Sequence, residues 1–184
     1  MPPPSSLQGQ LLIAAPTLPD PNFARTVVAI ANHDDEGALG VVLNRPSDTE
    51  VADAAPELAD LVEPGDLVHV GGPVQPQAIV VLADFDEPGE AAFVIAGTVG
   101  LVSDRTALER LPGVSSRRRV FAGYAGWGPG QLEAELERED WIVEAARPED
   151  VFTDAPEHLW STVLDRKGGR FRLVARMPVD PSVN

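Results

Sequence analysis

The chain of 184 residues carries 29 acidic against 14 basic side chains, a formal charge of −15, and no cysteine. That length suits one domain able to bury its own core, and the missing thiols exclude disulfides, thiolate zinc, iron–sulfur clusters and cysteine nucleophiles. With 43% apolar residues it is too hydrophobic for an acidic disordered tail, and its charge disfavours broad contact with nucleic acid.

Residues 1–6 have neither the basic start nor the apolar stretch of a signal peptide, and are expected to form a disordered or polyproline-like lead-in. No run reaches the ~18 apolar residues of a membrane span, so a cytoplasmic protein without membrane contact is expected. Leu11 to Ala14 predicts a first strand, followed by an extended loop set by Pro16, Pro19, Asp20 and Pro21. Thr26 to Asn32 and Ala38 to Asn44 predict a β-hairpin across residues 33–37, with Gly37 in the left-handed position. Both strands are apolar on both faces, so both sides should be covered.

Val51 to Val62 is helical in pattern but must break or kink at Pro56. Leu67 to Val70 and Ala78 to Leu82 read as strands on either side of a Gly71-Gly72-Pro73 turn. Ala92 to Ala96 is another strand, continuing loosely to Val102. Ser103 is placed to cap a helix over 104–111 that Pro112-Gly113 stops, and Ser115-Ser116 reads as loop. Val120 to Ala125 predicts a strand, then a Gly-rich bend, a helix from about Pro129 to Asp140 and a strand over Trp141 to Ala145. Asp154 and Glu157 have capping-box spacing before a helix that puts Leu159, Trp160, Val163 and Leu164 on one face. Gly168-Gly169 ends it, Phe171 to Ala175 is a candidate edge strand, and the residues beyond Pro178 look loosely held. Eight or nine short strands with three or four short helices make an α+β (complex α/β) domain.

Gly123-Tyr124-Ala125-Gly126-Trp127-Gly128-Pro129-Gly130-Gln131 is the most unusual stretch. A strand bending into a helix can offer backbone N–H groups to an anion, yet this one lacks a Walker Lys-Ser/Thr ending and the dinucleotide glycine spacing. The glutamates that follow are poor neighbours for phosphate. Either the glycines simply make a tight corner packed by Tyr124 and Trp127, or those aromatics anchor a ligand or partner. His33-Asp34-Asp35-Glu36 offers metal-capable groups that diverge on a turn, and Asp84, Asp86, Glu87 and Glu90 form a second acidic loop; both read first as solvated turns. No Gly-x-Ser-x-Gly elbow exists and only three histidines can serve as neutral-pH bases, so no catalytic residue, metal ligand or cofactor is assigned. Asn44 is a candidate for satisfying loop backbone or for binding, and Arg45 for a surface ion pair.

The charge is unevenly spread. Arg117-Arg118-Arg119 and the five bases from Arg166 to Arg176 account for eight of the 14, leaving 29 acids against 6 bases, or −23, elsewhere. The basic stretches are expected to balance the acidic body, within one molecule or between copies. They are also the two places where contact with nucleic acid would be conceivable.

Several segments together resemble a known set. Gly9-Gln10-Leu11-Leu12, Ala15-Pro16 and Phe23 are followed by His33, Gly37 through Pro46, Gly71-Gly72-Pro73-Val74, Gly123 through Trp127, Gln131-Leu132-Glu133, Glu135, Trp141, Phe152 and Trp160. In order across residues 7–165, they are similar to the AlgH/YqgE family of small bacterial proteins without an established activity. The resemblance implies a single domain over 7–165 with a branched, mostly β core of mixed sheet flanked by short helices, and leaves 166–184 as a basic extension. It also brings an association with regulation of alginate genes, which the acidic helix after Gly130 does not support as DNA binding. The expected function is therefore non-catalytic binding of a protein or small molecule, with a homo-oligomer as one form of partner. The surface would comprise Asn44, Gly71, Gly72, Gly123, Tyr124, Gly126, Trp127 and Gln131, provided the two glycine segments converge. The alternatives are a small hydrolase or transferase with a carboxylate base, and a transcriptional regulator.

Overall fold

The computed structural model describes residues 6–178, so the expected lead-in over 1–6, apart from Ser6, and the ending over 179–184 lie outside the described residues. Ten strands form an α+β domain: β1 (Gln10–Ala14), β2 (Val27–Asp34), β3 (Gly37–Val42), β4 (Pro46–Glu50), β5 (Leu67–Val70), β6 (Val74–Phe85), β7 (Phe93–Ala96), β8 (Val99–Leu101), β9 (Ser115–Trp127) and β10 (Trp141–Ala145). Their order is β10-β1-β2-β3-β9-β6-β8-β7, with β5 joined to β9 and β4 to β5 off this path. The β5–β9 pairing is parallel and the others are antiparallel, so the sheet is mixed and branches at β9.

The branch follows from length. At 13 residues, β9 can pair with β3 through Ala125 to Trp127, and with β6 and β5 through its preceding residues. Side chains alternate along it, as a two-residue period requires. Phe121 enters one core with Leu82 of β6, while Val120 enters another with Val81 and Ala83. The hairpin strands β2 and β3 are covered on both faces, as their unbroken apolar runs demand.

Helices α1 (Val51–Ala54), α2 (Arg105–Val114), α3 (Gln131–Glu137), α4 (Pro148–Val151), α5 (Pro156–Lys167) and α6 (Phe171–Ala175) flank the sheet. As expected, Pro56 separates α1 from a 3-10 turn over Pro56–Leu61. On α5, Leu159, Trp160, Val163 and Leu164 are all buried. No helix among the described residues is long and apolar enough to cross a membrane.

Several local expectations are corrected. The segment after Ala96 does not continue to Val102 as one strand; β8 turns back antiparallel on β7 and pairs with β6. Asp104, not Ser103, caps α2, its carboxylate accepting the Ala107 N–H at 2.9 Å. Pro112 does not stop α2, because the Leu111 carbonyl is taken by the Ser115 hydroxyl and the Arg118 guanidinium, which close the last turn. Ser115 consequently begins β9 rather than sitting in a loop. The helix after Gly130 is confined to α3, and α5 starts with Pro156 after Ala155 without a side-chain cap, so Asp154 and Glu157 form no capping box. Phe171 to Ala175 is a helix, not an edge strand. Phe171, Val174 and Ala175 recur at helical spacing and lay one face on the core, beside α5.

Candidate functional site

The two glycine segments meet. Gly71 donates its N–H to Ala122 and accepts the Val42 N–H, both at 2.8 Å, which sets residues 71–72 against Gly123 and Tyr124. A side chain on Gly71 would stand 2.3 Å from the Gly123 carbonyl oxygen, and one on Gly72 would stand 2.2 Å from the Tyr124 carbonyl. Backbone fills the space that a ligand would need there. Gly126 lies on β9 with an open neighbourhood, and Tyr124 is half-buried.

Trp127 is only 7% exposed, because Phe23 and Trp141 enclose its ring at centroid distances of 6.3 and 6.1 Å, so it packs the corner, the first of its two expected roles. Its indole N–H and that of Trp141 both donate to Glu135 Oε2 at 2.8 Å. Gln131 holds the other carboxylate oxygen through its amide at 3.2 Å, and accepts the Gly128 N–H at 3.0 Å. The Gly-x-x-Gly-Trp corner and α3 therefore form a packed joint. Asn44 braces backbone: it accepts from Val27 N–H at 3.0 Å and donates to the Arg25 carbonyl at 2.9 Å. Arg45 forms no ion pair among the described residues; its guanidinium donates to the Asn22 and Ala24 carbonyls. His33 is equally structural, accepting the Leu7 N–H at Nδ1 and meeting Glu133 at 2.7 Å through Nε2. Among the described residues, no three His, Asp or Glu side chains gather as a metal site.

Each arginine of the triplet makes contacts inside the molecule. Arg117 pairs with Asp84 at 3.0 Å and stacks on Phe152, Arg118 donates to the Leu61, Leu111 and Ser115 carbonyls, and Arg119 donates to the Val151 and Thr153 carbonyls.

Arg119 also leads to a cleft that the sequence did not disclose. Between β4–β5 and the start of α5 lies a space of about 330 Å³ walled by Pro46, Val62, Leu67, Val120 and Pro156. His69 of β5 lines it while being only 6% exposed. Its Nδ1 lies 3.1 Å from the Leu67 carbonyl and donates to it, which leaves the lone pair on Nε2. No fully buried side-chain nitrogen or oxygen among the described residues lacks a partner, so the unpaired Nε2 of this cleft-lining histidine is not fully buried. Beside it, Arg119 uses Nη1 for its two carbonyls and keeps Nε and Nη2 unengaged. Asp66, Asp154 and Glu157 complete the lining, so three carboxylates face one guanidinium. A smaller cleft of about 230 Å³, lined by Arg25, Asn44 and Arg45, shares Pro156 and Glu157 with it.

Burial, reinforced by the Arg119 charge, pushes the His69 imidazole down to about 4, against smaller upward pulls from the Leu67 carbonyl and Asp66. The ring is therefore neutral near pH 7. Between pH 6.5 and about 4 the unfolded chain takes up a proton at this residue that the folded chain refuses. Stability contributed by neutral His69 is thus complete above pH 6.5 and lost as pH falls towards 4. The expected size is on the order of 2 kcal/mol after screening, read as the difference between wild type and His69→Phe in urea titrations at pH 7 and pH 4.5. A parallel pH dependence in both proteins would refute it.

The sequence model of the AlgH-like family matches residues 11–172. A UPF0301 protein of Streptomyces coelicolor is 46% identical over 187 residues, covering 98% of this chain and 96% of its own length. One from Mycobacteroides abscessus is 45% identical over 96% of this chain and 87% of its own. Among solved structures, a Corynebacterium diphtheriae protein matches with a TM-score of 0.83 at 31% identity, covering 95% of this chain and 94% of the other. The solution structure of the AlgH protein from Pseudomonas aeruginosa matches with a TM-score of 0.71 at 30% identity over 97% of each chain.

Proposed function

The chain belongs to the AlgH-like family, and on that premise we propose that it is a non-catalytic, cytoplasmic protein that binds a small neutral molecule in the His69–Arg119 cleft. The observation that carries this reading is a cleft lined both by a buried histidine whose Nε2 has no partner and by Arg119, whose Nε and Nη2 are unengaged. An acceptor beside donors suits a group offering both, such as the N–H and C=O edge of an amide, lactam or ureide. The cleft volume falls at the lower end of the range for small-molecule sites. Its net charge, three carboxylates against one guanidinium with a neutral imidazole, repels phosphates and carboxylates.

Uracil, which is neutral and carries that edge, serves as the probe. It is expected to raise the melting temperature and to shift the His69 imidazole resonance in NMR spectra, while orthophosphate does neither and His69→Ala abolishes the thermal response. Stabilisation by phosphate without any response to uracil would overturn the assignment.

A histidine beside carboxylates also suits the alternative of a hydrolase. Two features weigh against it. The Nδ1 proton goes to a backbone carbonyl rather than to a carboxylate, so a charged imidazolium would gain no anionic partner by hydrogen bond. Its low proton affinity further makes it a weak base near neutrality. Direct gene regulation is less favoured again, because the arginine triplet is engaged with the protein's own carbonyls and Asp84.

A further inference from the structure

An apolar groove of about 620 Å³ lies between the 3-10 turn Pro56–Leu61 and α2, with β6 as its floor. Leu61, Leu108 and the 43% exposed Ile79 line it. Its rim is acidic: Glu57, Asp60, Asp104 and Glu109 stand against Arg105 alone, which already pairs with Glu109. Elsewhere, α6 displays the opposite combination. Leu173 is 72% exposed and Met177, just past the end of α6, is 42% exposed. Arg170, Arg172 and Arg176 surround them, all exposed and none in an ion pair among the described residues.

These two surfaces cannot meet within one molecule. Along β6, Leu82 points to the core that α5 and α6 cover, while Val81 and Ala83 point to the core beneath the 3-10 turn and α2. The basic apolar knob and the acidic apolar groove thus sit on opposite faces of the sheet.

We propose that the groove receives α6 of a second copy of this chain, with Leu173 and Met177 in the apolar floor and the three arginines over the acidic rim. The occupant follows from complementarity in both apolar character and charge, carried by one sequence. An arrangement in which knob and groove are different patches is heterologous, so two copies joined by one such contact leave one knob and one groove unfilled between them. Assembly then extends until a ring closes or continues as a chain.

Sedimentation velocity from micromolar to millimolar protein tests this. The sedimentation coefficient is expected to rise with concentration, less so at high salt because the rim charges are exposed. Leu173→Asp is expected to weaken association by about tenfold or more without changing the fold, since the side chain is exposed. Arg172→Glu with Arg176→Glu, and Glu57→Lys with Asp60→Lys, are each expected to abolish self-association. Mixed in equal amounts, these two variants are expected to pair, because each supplies the surface that the other's reversal now fits. A wild-type protein monomeric at every concentration, whether or not the groove takes a foreign basic segment, overturns the proposal. So does association that Leu173→Asp and both charge reversals leave intact.

Discussion

Gly72→Ala is expected to lower the free energy of unfolding by more than about 4 kcal/mol, whereas Gly126→Ala should leave it within about 0.5 kcal/mol or slightly raise it. Both glycines belong to the segments that the sequence marks as a binding surface, yet their surroundings differ. A methyl group on Gly72 would lie 2.2 Å from the carbon and oxygen of the Tyr124 carbonyl and 2.5 Å from the Ala125 nitrogen, all backbone atoms of β9. No rotamer can relieve that contact, so the β5–β6 connection or β9 must move. The residue's φ of 153° adds strain for any L side chain. Gly123 answers from the other side with a φ of 75° and the Gly72 carbonyl oxygen 2.5 Å from its would-be Cβ. Around Gly126 the nearest atom is a Val74 methyl at 3.7 Å, ordinary contact distance. Urea midpoints of the two variants measure the contrast directly. Equal effects would show that the crossing of residues 71–72 over 123–124 is looser than its backbone contacts indicate.

The same crossing separates what was legible in the sequence from what was not. Strand runs such as Val27 to Asn32 and the buried face of α5 are local patterns, and burial reproduces them residue by residue. That the glycine segments would converge could be stated only as a condition. The parallel β5–β9 pairing that joins them brings His69 beside Phe121, and no local period encodes such a pairing. His69 itself was legible only as one histidine in an apolar strand. Its importance comes from Arg119, Asp154 and Pro156, contributed by other elements. Between the two roles open to Trp127, packing the corner or anchoring a ligand, the sequence cannot choose, because Phe23 and Trp141, which enclose it, arrive from distant segments. In α6 the apolar residues are too few for a periodicity to choose helix over strand, and packing beside α5 decides.

Asp150→Ala is expected to cost about 3–5 kcal/mol, and to do so almost independently of salt. Asp150 is 3% exposed, and each of its oxygens meets one guanidinium nitrogen of Arg166 at 2.8 Å, while Oδ2 also accepts the Arg147 N–H at the start of α4. The hydrogen-bonded carboxylate holds the Arg166 guanidinium above its ordinary value despite burial. Removing Asp150 strands a largely covered cation and a backbone donor together, whereas Asp150→Leu combined with Arg166→Met removes both charges and should recover part of the loss. This pair revises the simplest view of the segregated charge, in which the bases from residue 166 onward balance an acidic body at a distance. A diffuse balance fades with added salt, but a bidentate buried pair does not. Arg166 and Lys167, whose ammonium donates to the Val143 carbonyl at 2.7 Å, tie the end of α5 to the domain. Arg170, Arg172 and Arg176 remain as the part of that charge facing solvent. Urea midpoints in low and high sodium chloride should therefore split the basic segment in two. Neutralising Arg166 costs stability at every ionic strength, while neutralising Arg170, Arg172 and Arg176, in and beside α6, leaves the stability of the monomer unchanged and acts only on what it meets.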